Sequence, residues 1–564
     1  MEYKIENRKC INCQKDFTIE PDDFGFYEKI GVPPPTFCSE CRFQHRMMFR
    51  NDRTFYRRQC DLCKQNIIAV YPSDAPFPVY CVKCWWSDKW DPYKYGKDFD
   101  FSRPFFEQFK ELLNVTPALS IMNDNGVVSL NCEYTYDWFY SKNCYMDVSG
   151  WYAENVLYSY HIEHNKDLID SMHMRENELD YECLQCYKLF GCAYCTYCFE
   201  CQNCFLSYDL SGCLDCVMCI GLRNKSYCIK NKQYTKEEYK KEIKKMNLEN
   251  FVSIEKYKKE FKEFSLAFPH RHAYIKKSVN SIGDFIINCK NSKHCFMTIA
   301  GENLRYMFGS DTAKDTYDCD MTGKSELCYN SMVADEAQRS AYTVFCFHSN
   351  EVMYSHYCPS AEWCFGCVGL KKGSYSIFNK KYSKKEYEEL RSKIIEHMKK
   401  TEEFGEFFPP LVSPFAYNES AAQELFPLNK NEIEAKNYKW RESDPKNYKV
   451  TIKPNDLPNT IKEISGDIVE QIIGCEHDGS CNHKCTTAFK VVPNEFILYK
   501  KLNIPIPHLC PNCRHFARLE KRNPIKLWHR KCMKERCDNE FETSYAPDRP
   551  EIVYCEKCYQ QEIY

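Results

Sequence analysis

The cysteines in the middle of this chain sit on a three-residue grid. Thirteen of them, at 132, 144, 183, 186, 192, 195, 198, 201, 204, 213, 216, 219 and 228, are separated only by multiples of three. So are the eight at 289, 295, 319, 328, 346, 358, 364 and 367. Independent placement would give this agreement about once in a billion, so the spacing marks a repeat architecture. Where cysteine is absent, other small residues hold the grid: every third position from Cys289 to Ser376 is Cys, Ser, Thr, Ala or Gly with few exceptions. A period of three fits neither an α-helix nor a flat strand. It fits a β-solenoid whose rungs are multiples of three and whose small residues point inward. Cysteines recurring at nine (186, 195, 204, 213) read as stacked rungs, with the rung length left open. Polyproline-like bundles share the period but need many more glycines than the 19 present.

The two tracts repeat each other. CVMCIGLRNKSYCIKNKQYTKEEY from Cys216 realigns with CFGCVGLKKGSYSIFNKKYSKKEY from Cys364 at an offset of 148, which also brings KDLIDSM at Lys166 onto KDTYDCD at Lys314. SKNC ending at Cys144 and SKHC ending at Cys295 lie 151 apart, so the insertion between registers preserves the phase of three. Each tract ends in a helix with capping-box spacing, Thr235 with Glu238 and Ser383 with Glu386, suited to covering the open end of a stack. Serine, alanine, threonine and glycine replace cysteine freely on the grid, so the 21 central cysteines read as packing groups. A metal or iron–sulfur cluster in the dense run from Cys183 to Cys219 is the alternative, with disulfides third.

At the two ends the cysteines follow a different rule. Cys10 and Cys13 precede Cys38 and Cys41, and Cys60 and Cys63 precede Cys81 and Cys84. Near the C-terminus, Cys481 and Cys485 precede Cys510 and Cys513, and Cys532 and Cys537 precede Cys555 and Cys558. The intervals match: 25 residues from Cys13 to Cys38 and from Cys485 to Cys510, and 18 from Cys63 to Cys81 and from Cys537 to Cys555. Two thiolate knuckles make a closed tetrahedral site suited to zinc, so these 16 cysteines predict about four structural zinc ions in a duplicated pair of zinc ribbons. Cys475 and His477 lie close enough to replace Cys481 or Cys485 in the third site. A thioredoxin-like redox pair is the competing reading of each CxxC, but it needs a βαβ setting that the sequence does not supply.

Between the paired ribbons run basic segments. Arg42, Arg46, Arg50, Arg53 and Arg57 have helical spacing, with Arg58 alongside; the second copy has Arg514, Arg518, Lys521, Arg522, Lys526, Arg530 and Lys531. An arginine stripe on a rigid ribbon predicts a phosphate-binding face for RNA or DNA. The same stripe can instead pair with acidic groups of the central domains or of a protein partner, or line a solvated helix.

The chain is 564 residues with a net charge of −2, so it is not polybasic overall. No apolar run approaches the roughly 18 residues of a spanning helix, and MEYKIENRKC lacks a signal-peptide core. With 38 cysteines, this predicts reduced thiols in a cytoplasmic protein that is not membrane-bound. The fold expected is mainly β with short helices: tandem β-solenoid-like repeats flanked by duplicated double zinc ribbons. The expected divisions are a double ribbon at 1–95, a linker and helix at 96–130, solenoid repeats at 131–265 and 266–403, a partly ordered connector at 404–470, and the C-terminal double ribbon at 471–564.

The strings CWWSDKWDPYKYGKDFDFSRPFFEQFKELL, SYCIKNKQYTKEEY and SPFAYNESAAQELFPLNK resemble a set of cysteine-rich zinc-ribbon proteins of small-genome candidate-phyla bacteria. The resemblance covers most of the chain. It implies zinc binding in a bacterial cytosol and brings no activity and no catalytic residue. Walker A, GxGxxG, HExxH and GxSxG motifs are absent from the sequence. The expectation is a zinc-binding, non-enzymatic scaffold contacting nucleic acid or a ribonucleoprotein through its arginine faces. A protein-interaction scaffold without nucleic acid and a metal- or redox-active thiol stack are the alternatives.

Overall fold

The computed structural model describes residues 3–323, 325–333, 338–442 and 448–563. The grid positions Ala334 and Ala337, and 443–447 of the expected connector, lie outside the described residues. Most regular structure is short β-strand, much of it in parallel sheets, with twelve α-helices among the described residues.

The period of three is the length of one side of a coil. In the first tract the backbone enters the left-handed region at every third residue, as at Asn131, Tyr134, Asp137, Tyr140 and Asn143, with φ of 54°, 55°, 55°, 53° and 55°. Each such residue turns a corner. Four corners return the chain to its starting face: Lys142–Tyr145 pairs in parallel with Glu154–Leu157, and that strand pairs with Lys166–Ile169, always at an interval of 12. Tyr136–Phe139, Val148–Trp151 and Tyr160–Glu163 stack likewise on a second face. Single bridges continue the pattern on four faces, as in Glu178↔Phe190, Tyr181↔Ala193, Leu184↔Thr196 and Tyr187↔Phe199. The second tract repeats it, with Glu302↔Lys314 and Asn350↔Glu362.

Left-handed backbone costs a non-glycine residue about 1–2 kcal/mol, and ladders on both sides of the wall offset that cost. Inside, the amide of a grid residue needs an acceptor, and a polar grid side chain one turn earlier can provide it. Cys198 donates its N–H to Cys186 Sγ at 3.3 Å, Ser171 to Ser159 Oγ at 3.2 Å and Cys192 to Asp180 Oδ1 at 2.7 Å. The thiols then donate to carbonyls two and nine residues on either side, as Cys186 does to Leu184 (3.2 Å) and Cys195 (3.6 Å). This is why the slots take Cys, Ser, Thr, Asn and Asp: a small group that also accepts a hydrogen bond leaves no buried amide unsatisfied. The interval of nine is therefore a diagonal contact between neighbouring turns, and the stacked interval is 12. Outside, corner residues stack: Asn131, Asn143, Asn155 and Asp167 form an amide ladder at 3.1, 3.1 and 2.8 Å, and Tyr140, Tyr152 and His164 stack with centroids 5.2 and 4.8 Å apart. One large grid residue is accommodated by a small one in the next turn. A Cβ at Gly150 would stand 2.2 Å from the Trp138 ring.

Both stacks close in the same way. Ser226–Ile229 and Ser374–Ile377 are each capped by an antiparallel pair, Lys232–Gln233 and Lys380–Lys381, then by the helices Lys236–Met246 and Lys384–Lys400. Both expected capping boxes form, Thr235 with Glu238 and Ser383 with Glu386.

The chain divides into two compact units, and each joins segments far apart in sequence. Unit 1 is Met1–Ile121 with Ile275–Glu442 and Ile525–Leu527; unit 2 is Met122–Tyr274 with Ser443–Pro524 and Trp528–Tyr564. The N-terminal ribbon segment thus shares a unit with the second coil, and the C-terminal one with the first. In unit 1, Trp85 and Trp90 are buried beside coil residues Tyr357 and Lys371, while Trp86 is half exposed. The helix Phe105–Val115 forms as expected, its first amides held by the buried carboxylate of Glu403 at 2.8 and 2.7 Å. The expected connector is well packed where it is described: Phe408 stacks on Phe109 in unit 1, and Ile461, Ile464 and Ile468 are buried in unit 2.

Candidate metal centres

Each four-cysteine group is built from a hairpin and a helix. Glu6–Lys9 pairs with Asp16–Ile19, which places Cys10 and Cys13 at the hairpin tip; Cys38 caps the helix Ser39–Met47, which carries Cys41. The same arrangement gives Cys60 and Cys63 after Tyr56–Gln59, with Cys81 and Cys84 at the helix Val82–Trp86. Cys532 and Cys537 follow Trp528–Lys531, with Cys555 and Cys558 at the helix Glu556–Ile563. In each of these three groups all ligand atoms lie within 4.8 Å of one another. Sγ–Sγ separations are 3.7 Å for Cys13–Cys38 and 3.9 Å for both Cys63–Cys81 and Cys537–Cys555. A tetrahedron with zinc–sulfur arms of about 2.3 Å has edges of about 3.8 Å, whereas a disulfide needs about 2.05 Å.

The surroundings treat the thiols of a group unequally. Amides point at sulfur, from Cys81 to Cys60 Sγ at 3.3 Å and from Cys555 to Cys532 Sγ at 3.3 Å. Hydrogen bonding from Cys41 holds the Cys38 thiol down at about 5 and the amide of Gln65 holds Cys63 at about 7, while the bond to Cys38 raises Cys41 and burial raises Cys13, Cys81 and Cys84. The position of Cys38 and Cys81 at helix starts adds the positive end of the helix dipole.

The third group departs from the expected ligand set. Cys475 stands where Cys481 was expected, so the set is Cys475, Cys485, Cys510 and Cys513. The reason lies in the hairpin: Ile473–Gly474 pairs with Ala488–Phe489, and the Cys475 amide donates to Thr487 O at 2.8 Å, so Cys475 occupies the place that Cys10 has after its strand. Cys481 belongs instead to a separate group with His477, His483 and Cys513. The grid cysteines form no such group among the described residues; burial pushes the Cys183 and Cys186 thiols up to about 11, while bonds from neighbouring thiols lower Cys201 and Cys216.

The arginine stripes point inward, a correction to the expectation of a phosphate-binding face. Arg42, Arg46, Arg50 and Arg53 are buried, as are Arg514 and Arg518. Arg42 forks onto Asp318 at 3.0 and 2.8 Å, and Arg46 reaches Asp320 Oδ2 at 2.5 Å, Asp318 Oδ1 at 3.4 Å and Asn330 Oδ1 at 3.0 Å. Arg50 pairs with Asp52 at 2.5 Å. In unit 2, Arg514 reaches Asp170 at 2.8 Å and Glu495 at 3.3 Å, and Arg518 reaches Asp170 at 2.7 Å and Tyr158 O at 3.0 Å. Burial alone would lower the Arg42 and Arg514 guanidiniums, but Asp318 and Asp170 lift them above their ordinary range. Arg42 and Arg46 ride on the helix that starts at Cys38, as Arg514 and Arg518 ride on Pro511–Lys521, which starts at Cys510. A helix that starts at a four-cysteine group thus clasps an aspartate corner of the coil, and the arginine pair and the corner aspartate recur in both copies. Of the other cations, Arg57 is exposed, Arg522 lies half-buried 3.4 Å from His173 Nε2, Lys526 is 3.4 Å from Glu40, and Arg530 donates to Ala546 O at 3.1 Å.

Neither protein-family models nor curated proteins give a match to this chain. Among the described residues no helix is long and apolar enough to cross a membrane.

Proposed function

We propose that this protein is a non-catalytic, zinc-stapled scaffold: two four-sided β-solenoids with twelve-residue rungs, each clasped by a double zinc ribbon. The observation that carries the reading is the duplicated clasp, in which a four-cysteine group fixes a helix whose two arginines are committed to a corner aspartate of the coil. Four sulfurs leave no coordination position for a substrate, so the metal's role is structural, and zinc is the ion that such a thiolate set suits. The inward thiols serve as packing and hydrogen-bonding groups.

The surface offered to a partner is the outer wall of the coils. Tyr140 and Tyr152 are about half exposed and stacked in register with His164, and Phe190 is exposed on the same coil. Aromatic rings held rigidly lose little entropy on binding, which favours a protein partner for this wall. A nucleic-acid role through Arg42, Arg46, Arg514 and Arg518 requires both clasps to open. The deciding measurement is binding of generic RNA and single-stranded DNA at 50 and 200 mM salt alongside metal analysis. Four or more zinc ions per chain with no salt-dependent binding supports the scaffold; steep salt-dependent affinity lost in Arg46→Glu would replace it with the phosphate-binding reading.

A further inference from the structure

The third ribbon differs from the first by an insertion rich in metal-ligating side chains. Two residues separate Cys10 from Cys13, but nine separate Cys475 from Cys485, and the added stretch contains His477, Cys481 and His483. With Cys513 these form a second set whose ligand atoms all lie within 4.8 Å of one another. Cys513 belongs to both sets. Its Sγ stands 3.8 Å from Cys475 Sγ and 3.7 Å from Cys481 Sγ, each the edge length of a metal–thiolate tetrahedron.

The histidines are prepared for a ligand. Nδ1 of His477 and Nδ1 of His483 are both buried with no hydrogen-bond partner. A buried polar nitrogen left unpaired is costly, and a bound cation removes that cost. His483 Nε2 lies 3.1 Å from Glu520 Oε1, so the carboxylate takes the proton-bearing nitrogen and leaves the Nδ1 lone pair available. This is the outer-shell arrangement found around metal-bound histidine.

We propose that this module binds two metal ions bridged by the Cys513 thiolate. The first is held by Cys475, Cys485, Cys510 and Cys513, and the second by His477, Cys481, His483 and the shared Cys513. A mixed nitrogen and sulfur set of this kind suits zinc. Electrostatics favour the pair, because two dications against five thiolates leave less residual negative charge than one dication against four. The inference rests on the metal reading above and adds a fifth ion to it.

The test is metal content of the full chain purified with zinc under reducing conditions, by elemental analysis and native mass spectrometry. The wild type is expected to hold five ions, and His477→Gln/His483→Gln four, a loss of one. Four ions in both overturns the bridged pair while leaving the four-cysteine sites intact; fewer than four in the wild type overturns both readings. The wild-type mass alone decides between five and four should the variant fail to fold. In the cobalt-substituted chain, a bridging thiolate couples the two spins, so the resonance intensity per cobalt is expected to rise in the double variant; an unchanged intensity would mean that Cys513 does not bridge.

Discussion

Units 1 and 2 make the same clasp with different acids. Arg42 and Arg514 occupy the same place after the last cysteine of their groups, as do Arg46 and Arg518, and Asp318 corresponds to Asp170 at the repeat offset of 148. In unit 1 the coil supplies a second carboxylate, Asp320, which Arg46 takes; unit 2 has Met172 at that place, and Glu495 from the helix Pro493–Leu502 pairs with Arg514 instead. The geometry requires two guanidiniums to meet two buried carboxylates, but not that both carboxylates come from one element. Buried charge must be matched, and the source of the match is free to vary.

Metal removal should break both clasps at once and is the largest effect expected. A structural zinc contributes about 10–16 kcal/mol of apparent folding energy, so a strong chelator should release helices Ser39–Met47 and Pro511–Lys521 together. Hydrogen exchange would show their amides deprotected while the coil ladders stay protected; simultaneous loss of the coils would mean that the coils depend on the clasp. Next, Arg46→Met should cost about 3–5 kcal/mol because it leaves Asp320 without the guanidinium that hydrogen-bonds it, whereas Arg518→Met leaves Asp170 its ion pair with Arg514 and should cost about 1–3 kcal/mol. Denaturant titration of both variants checks the order, and equal costs would show that Asp320 is matched in another way.

Smaller effects probe the coil. Cys186→Ser keeps an acceptor for the Cys198 amide and should stay within about 1.5 kcal/mol of the wild type, while Cys186→Leu overfills the slot at about 1–3 kcal/mol and removes the acceptor. A further effect of similar size concerns pH. Burial lowers His356 to about 4, so the folded protein refuses a proton that the unfolded chain takes below its ordinary value of 6.5. That part of the stability is complete above pH 6.5 and declines as pH falls toward 4. The cost of His356→Gln should therefore shrink by about 2 kcal/mol between pH 7.5 and pH 5, read from denaturation midpoints.

The sequence showed a period of three but not the interval of 12 at which parallel strands pair, and the reason is geometric. Inward contacts fall at two, nine and 12 residues, and both nine and 12 are multiples of the three-residue side, so a cysteine grid cannot tell a diagonal from a stack. The close four-cysteine groups were legible wherever the hairpin tip is short. In the third, Cys481 was expected with Cys475 as its possible replacement, because a nine-residue tip carries a cysteine of its own and the strand before Cys475, only Ile473–Gly474, is too brief to mark Cys475 as the first member of the group. The helical spacing of the arginines was legible and their partners were not, since Asp318 lies 276 residues from Arg42. A signal was present all the same: KDLIDSM and KDTYDCD preserve that aspartate in both repeats, where a corner position alone would accept asparagine.

The interleaving of segments has a consequence for the order in which the protein can be made. The N-terminal four-cysteine groups leave the ribosome before either coil, but Arg42 and Arg46 have no coil carboxylates to meet until the second coil follows, more than 270 residues later. The first coil waits longer, because Arg518 lies 348 residues beyond Asp170. During that interval its aspartate corner and the surrounding wall stand uncovered. A nascent chain stopped after Glu442 would hold nearly all of unit 1 and a first coil with no clasp, so synthesis completes the second coil's unit before the first coil's.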